Sequence, residues 1–241
     1  MSAQETWISR IEAARGDLDR SSTAARVAGL LREQITDGLL QPGERLPEAE
    51  LCRAAGVSRN TLREAFRLLV QERLLEHRFN SGVFVRRLTA ADLADLYRVR
   101  RILECAGVRE SAAAGPGALD RLDAAVAEGE RAAAAGHWPG VGTADIRFHQ
   151  AIGALCGSPR VDEVMRNLLA ELRLVFHEMG SPREFHEPYL VRNRLLTELM
   201  RRGETAAAER ELLSYFDDAE AQLTAAYRRD EERHGGRQRA L

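Results

Sequence analysis

A chain of 241 residues that is 44% hydrophobic and 30% charged has enough apolar material for one large core or two modest ones. With no apolar run near the roughly 20 residues that cross a bilayer and no signal-peptide core at its start, it is expected to be cytoplasmic, with no membrane partner. Cys52, Cys105 and Cys156 lie far apart, which suits reduced thiols and argues against a disulfide frame or a zinc cluster.

The net charge of −2 hides an uneven distribution, and all 35 basic side chains are arginine. Residues 58–87 carry seven arginines against three carboxylates, whereas residues 89–241 carry 21 against 25. A basic segment near the start of an otherwise acidic chain suits one nucleic-acid-facing domain joined to a domain with another task.

Residues 1–21 are polar, and Gly16, Asp17 and Asp19 interrupt any helical pattern, so a flexible arm is expected, with at most a short helix around Ile8 and Ile11. From Ser22 a helix begins, with Val27, Leu30, Leu31 and Ile35 on one face and Gly38 as its C-cap. Pro42-Gly43 marks a turn, and Pro47 to Ala55 reads as a second helix with Glu48 and Glu50 near its positive end. Gly56 closes that helix and Ser58 is placed to cap the next, which runs to about Arg73. In this third helix Leu62, Ala65, Phe66, Leu69 and Val70 share an apolar face, while Arg59, Asn60, Arg63 and Arg67 lie on the other. A short helix, a tight turn and an arginine-bearing helix is how a helix-turn-helix presents its recognition helix, and the planar guanidinium suits guanine edges or phosphates. Leu74–Arg78 and Val83–Arg87 then read as two strands around Phe79-Asn80-Ser81-Gly82. Three helices and a two-stranded wing make a winged helix over residues 22–88.

From Thr89 to about Arg229 the chain reads as wholly helical. Six helices are expected at 89–114, 117–135, 142–155, 160–179, 182–202 and 204–228, separated by Gly- and Pro-bearing breaks, and they suit an antiparallel bundle. Residues 230–241 should fray as a flexible tail. The fold class is therefore mostly α: a winged helix-turn-helix followed by an all-α bundle. Within the bundle Asp145 and His149, four residues apart, share one helix face, which suits a structural hydrogen bond or part of a metal site.

The N-terminal motifs resemble a known family. Gly38-Leu39-Leu40-Gln41-Pro42-Gly43-Glu44-Arg45-Leu46, Leu51, Gly56-Val57-Ser58-Arg59, Leu62-Arg63-Glu64-Ala65 and Gly82-Val83-Phe84-Val85 look like the N-terminal domain of GntR-type bacterial regulators. The resemblance implies that Arg45, Arg59, Arg63 and Gly82 contact a palindromic operator in double-stranded DNA, with Ser58, Asn60, Thr61 and Ser81 at neighbouring positions of the same surface. Asn60-Thr61 stands where the family often has Thr-Pro, and Ser81 where it often has a basic residue, which implies an altered sequence preference or a weaker wing contact rather than lost binding.

Val99-Arg100-Arg101-Ile102-Leu103-Glu104 and Asp145-Ile146-Arg147-Phe148-His149 resemble the FCD domain of the FadR branch of that family. Many members hold a divalent metal with this Asp and His and two later histidines, whose positions by spacing are Asn193 and Tyr215 here. Only Asp145 and His149 of the metal set remain, so no certain cofactor is implied, and a divalent ion would be loosely held. His177 and His186 are not expected to be ligands, and a cationic His177 would favour its helix dipole. Asp145, His149, Asn193 and Tyr215, with Arg100 and Arg173 as reinforcement, then make either an internally satisfied polar network or a pocket completed by ligand and water; the resemblance implies the pocket, and an arginine in it would suit a small carboxylate. The expected protein is a homodimeric, effector-responsive transcription regulator and not an enzyme. Alternatives are a metal-free acyl-CoA-responsive regulator, a constitutive DNA-binding protein and a metal-dependent enzyme using Asp145 and His149.

Overall fold

The computed structural model describes residues 15–179 and 181–238, with side chains from 23 to 227 apart from 116, 178 and 180. Contacts divide it into one unit of residues up to Gln34 with Pro42–Arg86, and a second of Ile35–Gln41 with the chain from Arg87 onward. The short helix expected around Ile8 and Ile11 lies outside the described residues.

In the first unit α1 (Arg15–Thr36, its last two residues counted with the second unit), α2 (Glu48–Ala55) and α3 (Arg59–Gln71) precede β1 (Leu75–Arg78) and β2 (Gly82–Val85). α1 starts seven residues before the expected Ser22, so residues 15–21 are helical rather than part of an arm. Gly16 does not stop the helix, because one glycine costs a helix only about 1 kcal/mol relative to alanine. Gly56, at φ 63°, closes α2 in the left-handed conformation. Ser58 caps α3 by accepting from the Thr61 N–H. Leu62, Ala65, Phe66 and Leu69 of α3 are buried with Val27, Ala28 and Leu31 of α1 and with Leu75, Val83 and Val85 of the strands. Arg32 grips Glu72 through Nε and Nη2, at 2.7 and 2.6 Å, tying α1 to the C-terminal end of α3.

β1 and β2 pair antiparallel, with Leu75 opposite Val85 and Arg78 opposite Gly82. The turn between them needs Asn80 at φ 55°, and Gly82 lies at φ 106°. The Pro42-Gly43 turn then returns the chain to the outer side of β2. Gly43 and Leu46 donate to the Val85 and Val83 carbonyls, and Val85 donates back to Glu44, so this segment acts as a short third strand.

The second unit is a bundle of α4 (Ala90–Glu110), α5 (Pro116–Ala134), α6 (Trp138–Ala154), α7 (Pro159–Val175), α8 (Pro182–Arg201) and α9 (Thr205–Gln238), with a 3-10 turn over Phe176–Glu178. Thr89 and Asp92 form a reciprocal capping box at the start of α4. α6 is the central helix: Phe148 and Ile152 are fully buried in it, and it packs against α4, α5, α7 and α8. It begins at Trp138, four residues before the expected Gly142, because Gly140 and Gly142 sit inside the helix and only Gly136, at φ 68°, breaks the chain. α9 likewise continues through Gly235-Gly236 to Gln238, where a frayed tail was expected, and residues 239–241 lie outside the described residues.

Candidate functional site

The residues expected from sequence to carry function fall in two places, one in each unit. In the first, the N-terminal turn of α3 leaves Ser58, Arg59, Asn60 and Arg63 exposed, because the opposite side of the helix supplies the core. Ser58 and Thr61 also bond through their hydroxyls at 2.8 Å, which fixes the start of the helix. Arg63 reaches back to Glu48 at 3.3 Å, a solvent-exposed pair. Arg45 forms a β-bridge with Phe84, and its Nε lies 3.4 Å from where a Gly82 side chain would start. A larger residue at 82 would be strained by its φ of 106°, while its Cβ would only touch that guanidinium. Ser81 closes the hairpin turn by donating its hydroxyl to the Phe79 carbonyl at 3.2 Å. Arg45, Arg59, Asn60, Arg63, Ser81 and Gly82 thus lie on accessible parts of one small domain, and its positive groups suit phosphates and base edges.

In the second unit, Asp145, His149, Asn193 and Tyr215 come together inside the bundle, all buried. Asp145 Oδ1 accepts from Asn193 Nδ2 at 2.9 Å and from the Tyr215 hydroxyl at 3.0 Å. His149 Nε2 lies 3.1 Å from the same hydroxyl and 3.7 Å from Asp145 Oδ1. The network extends further than its four members. His149 Nδ1 meets Glu104 Oε2 at 2.5 Å, and Glu104 Oε1 accepts from Arg100 Nε at 2.9 Å. Arg100 is wholly buried between the rings of Tyr97 and Phe216, at 4.8 and 4.6 Å. One chain of polar contacts therefore joins α4, α6, α8 and α9 across an apolar interior.

The electrostatics follow from that burial. Loss of water alone would raise the Asp145 carboxyl, but His149, His186, the Asn193 hydrogen bond and Arg100 together hold it below the usual range. Burial and the neighbouring Asp145 carboxylate push the Tyr215 phenol well above its ordinary value, so it stays protonated and donates. Burial also raises the Tyr97 phenol, to about 12.

Arg173 stands apart from the four. Its Nε donates to the Thr36 carbonyl at 3.0 Å and its Nη2 to the Pro139 carbonyl at 3.3 Å, both in the same unit. Beside it, His186 is buried and its Nδ1 has no hydrogen-bond partner. The two converge over Gly142: a Cβ there would stand 2.9 Å from His186 Nε2 and 3.4 Å from Arg173 Nη1. Burial drives the His186 imidazole down to about 4, with Asp145 opposing and Arg173 assisting. Burial and Arg173 also lower His177, so the expected cationic helix-dipole role is replaced by a neutral ring.

A model of bacterial regulatory proteins of the gntR family matches residues 23–85, and the FCD domain model matches residues 95–218. The chain belongs to the GntR family. A solved GntR regulator from Rhodococcus sp. RHA1 is 48% identical, covers 86% of this chain and 99% of its own, and superposes with a TM-score of 0.80. The galactonate operon transcriptional repressor of Escherichia coli (strain K12) is 27% identical over 82% of this chain and 95% of its own length. The HTH-type regulator YdhC of Bacillus subtilis (strain 168) is 40% identical over 74 residues, 31% of this chain and 33% of its own. The match to the first curated relatives thus spans about a third of their length.

Set in this GntR frame, the donor set does not fit the divalent metal that the FCD resemblance implies. Asp145 and His149 are good ligands, but Asn193 and Tyr215 offer a neutral amide and a phenol kept protonated by burial. The hydroxyl of Tyr215 and the amide of Asn193 already bond the Asp145 oxygen that would face an ion. Among the described residues no three His, Cys, Asp or Glu side chains are grouped to hold a metal. Glu104, which bonds His149, and His186, buried near Asp145, are not among the site residues expected from sequence. For Glu104 a signal existed: Arg100 and Glu104 continue the buried stripe of Leu93, Leu96 and Tyr97, so two opposite charges face the core four residues apart. For His186 no pattern distinguishes it from a packed core histidine.

Proposed function

We propose that this protein is a cytoplasmic transcription regulator that binds operator DNA through its winged helix and releases or tightens that grip when a small polar metabolite enters the bundle. The recognition face is Arg45, Ser58, Arg59, Asn60, Thr61, Arg63, Ser81 and Gly82. The protein acts as a homodimer, because one recognition helix reads few base pairs and a two-fold pair reads a palindrome. Its relatives are named as transcription regulators and repressors, which supports a regulatory and not a catalytic role.

The observation that carries the effector reading is the set of unsatisfied polar atoms around Asp145. Arg100 Nη2, Asn193 Oδ1 and His186 Nδ1 are all buried without a hydrogen-bond partner. Leaving such a group bare costs about 1–3 kcal/mol, so a ligand supplying both a carboxylate and hydroxyls would recover much of that cost. A hydroxy acid has that chemistry, and the galactonate repressor among the relatives points the same way. Arg100, Asp145, His149, Arg173, Asn193 and Tyr215 are its contacts or their supports, and binding does not require a metal.

The test uses the full chain. A duplex selected from a random library serves as the operator probe, and sugar acids and simple carboxylates are screened by thermal shift with and without chelator. At least one hydroxy acid should raise the melting temperature equally in both arms and change the mobility of the protein–duplex complex. Shifts seen only with added zinc or nickel would replace this reading with a metal-assembled site.

A further inference from the structure

A buried arginine holds the end of α1. Arg173, on α7, is 4% exposed, and among the described residues no carboxylate bonds it. Burial pulls its guanidinium below the ordinary value, and Asp37 and Asp145 oppose that only through their charge. Its partners are two main-chain carbonyls. Nε donates to Thr36, the last residue of α1, at 3.0 Å, and Nη2 donates to Pro139, in the first turn of α6, at 3.3 Å. A cation at a helix C-terminus satisfies a bare carbonyl and faces the negative end of the dipole.

The guanidinium is closely framed. A Cβ on Gly38 would meet its Cζ at 2.8 Å, one on Gly142 would lie 3.4 Å from Nη1, and the Phe176 ring lies 5.7 Å from its Cζ. Gly38, at φ 77°, takes the left-handed turn that ends α1 and donates to the Ile35 carbonyl at 2.9 Å. Nη1 has no hydrogen bond among the described residues. It borders the same spot over Gly142 as the ring of His186, whose Nδ1 is also bare. Meanwhile α1 begins in one unit and ends in the other: Val27, Ala28 and Leu31 belong to the winged-helix core, whereas Ile35 and Thr36 are counted with the bundle. Whatever holds Thr36 therefore acts on a helix that runs unbroken into that core.

We propose that Arg173 is a clasp on the end of α1, and that a carboxylate bound at its open Nη1 edge beside His186 tightens it. An anion there supplies the counter-charge that the buried guanidinium lacks, and a charge-assisted bond is about twice as strong as a neutral one. Nε and Nη1 lie on different edges of the planar group, so the anion does not displace Thr36. Fixing the guanidinium then fixes the last turn of α1, and occupancy of the bundle sets how firmly the first helix of the winged helix is held. The inference rests on the effector reading and goes beyond it by giving Arg173 a positioning role on α1.

Full-length wild type, Arg173→Gln and Arg173→Lys are compared by thermal shift and by amide hydrogen exchange of residues 33–41, with and without millimolar glycolate, glycerate or gluconate. In wild type, an acid that raises the melting temperature should slow exchange across 33–41 by about five-fold. Arg173→Gln should speed exchange there by about ten-fold without acid and lose the response to acid. Arg173→Lys keeps the charge but offers a single point donor, so it should recover part of both effects. An arginine that merely packs would leave 33–41 blind to the acid. If Arg173→Gln does not fold, wild type and Arg173→Lys decide the matter. A rise in melting temperature with exchange at 33–41 unchanged, or slowed no more than in α5, would overturn the clasp and leave the effector reading standing. No rise with any of the three acids would overturn the effector reading, and the clasp with it.

Discussion

Arg63 pairs with Glu48, and on the proposed DNA face a base edge would compete with that carboxylate for it. Its pair with Glu48 is 3.3 Å long, with the arginine side chain 59% exposed, so water screens it and it contributes at most about 1 kcal/mol to folding. A guanidinium bonded to a guanine edge is worth about 1–3 kcal/mol of discrimination. Arg63→Ala should therefore lower affinity for the selected duplex by about that amount and narrow its advantage over random duplex, with little change in melting temperature. Equal losses on selected and random duplex would make Arg63 a phosphate contact and not a reader of sequence. Ser58, by contrast, works through the backbone: its cap holds the α3 terminus on which Arg59 and Asn60 stand.

Between elements, glycines set how closely the bundle helices pack. At Gly107 of α4, a Cβ would stand 2.1 Å from the Ile152 carbonyl oxygen of α6, and that carbonyl cannot move without its helix. Gly107→Ala must separate α4 from α6, the two helices that also present Glu104 to His149. A loss of about 2 kcal/mol or more is expected in urea unfolding. Gly129→Ala is the fitting comparison, since its Cβ would meet the tip of the Leu190 side chain at 2.7 Å, and a rotamer change there relieves the clash. Gly129→Ala should cost clearly less. Equal losses at both positions would show that helix propensity and repacking, rather than the close α4–α6 approach, govern the result.

At the scale of the whole molecule, the buried network makes stability depend on pH. An unfolded chain protonates His186 near 6.5, but the folded bundle resists until about 4 because burial opposes the charge. Between those values the unfolded state binds the extra proton, so stability is full above about 6.5 and falls as pH drops toward 4. The whole swing for this one group is at most about 3 kcal/mol. Asp145 acts in the same direction at lower pH: its carboxyl is held low in the fold, and the stability this brings is lost as acid finally protonates it. Groups facing His186 are Asp145, Arg173, Phe176 and Phe185, so the histidine has one carboxylate and one cation within its surroundings. His186→Gln should flatten the decline in unfolding free energy from pH 7 to pH 5 relative to wild type. Parallel declines in the two proteins would place the acid sensitivity elsewhere.

Much of this was legible in the chain itself. Helix periodicity, the Ser58 cap, the Asn80 and Gly82 turn and the breaks at Gly157-Ser158-Pro159 and Gly203 are local signals, and local backbone chemistry decides them. The i, i+4 pairing of Asp145 with His149 is equally local. The start of α1, the end of α9 and the start of α6 were not legible, because a glycine costs a helix only about 1 kcal/mol relative to alanine and does not by itself end it. Gly142 illustrates this: it lies inside α6 where His186 and Arg173 come too close for any side chain. Whether Asn193 and Tyr215 would close on Asp145, whether Glu104 would take the far nitrogen of His149, and which polar atoms would be left bare were decided only by tertiary structure. Those contacts join residues 45 to 70 positions apart on four helices. No periodicity within one helix encodes the rotation of the other three.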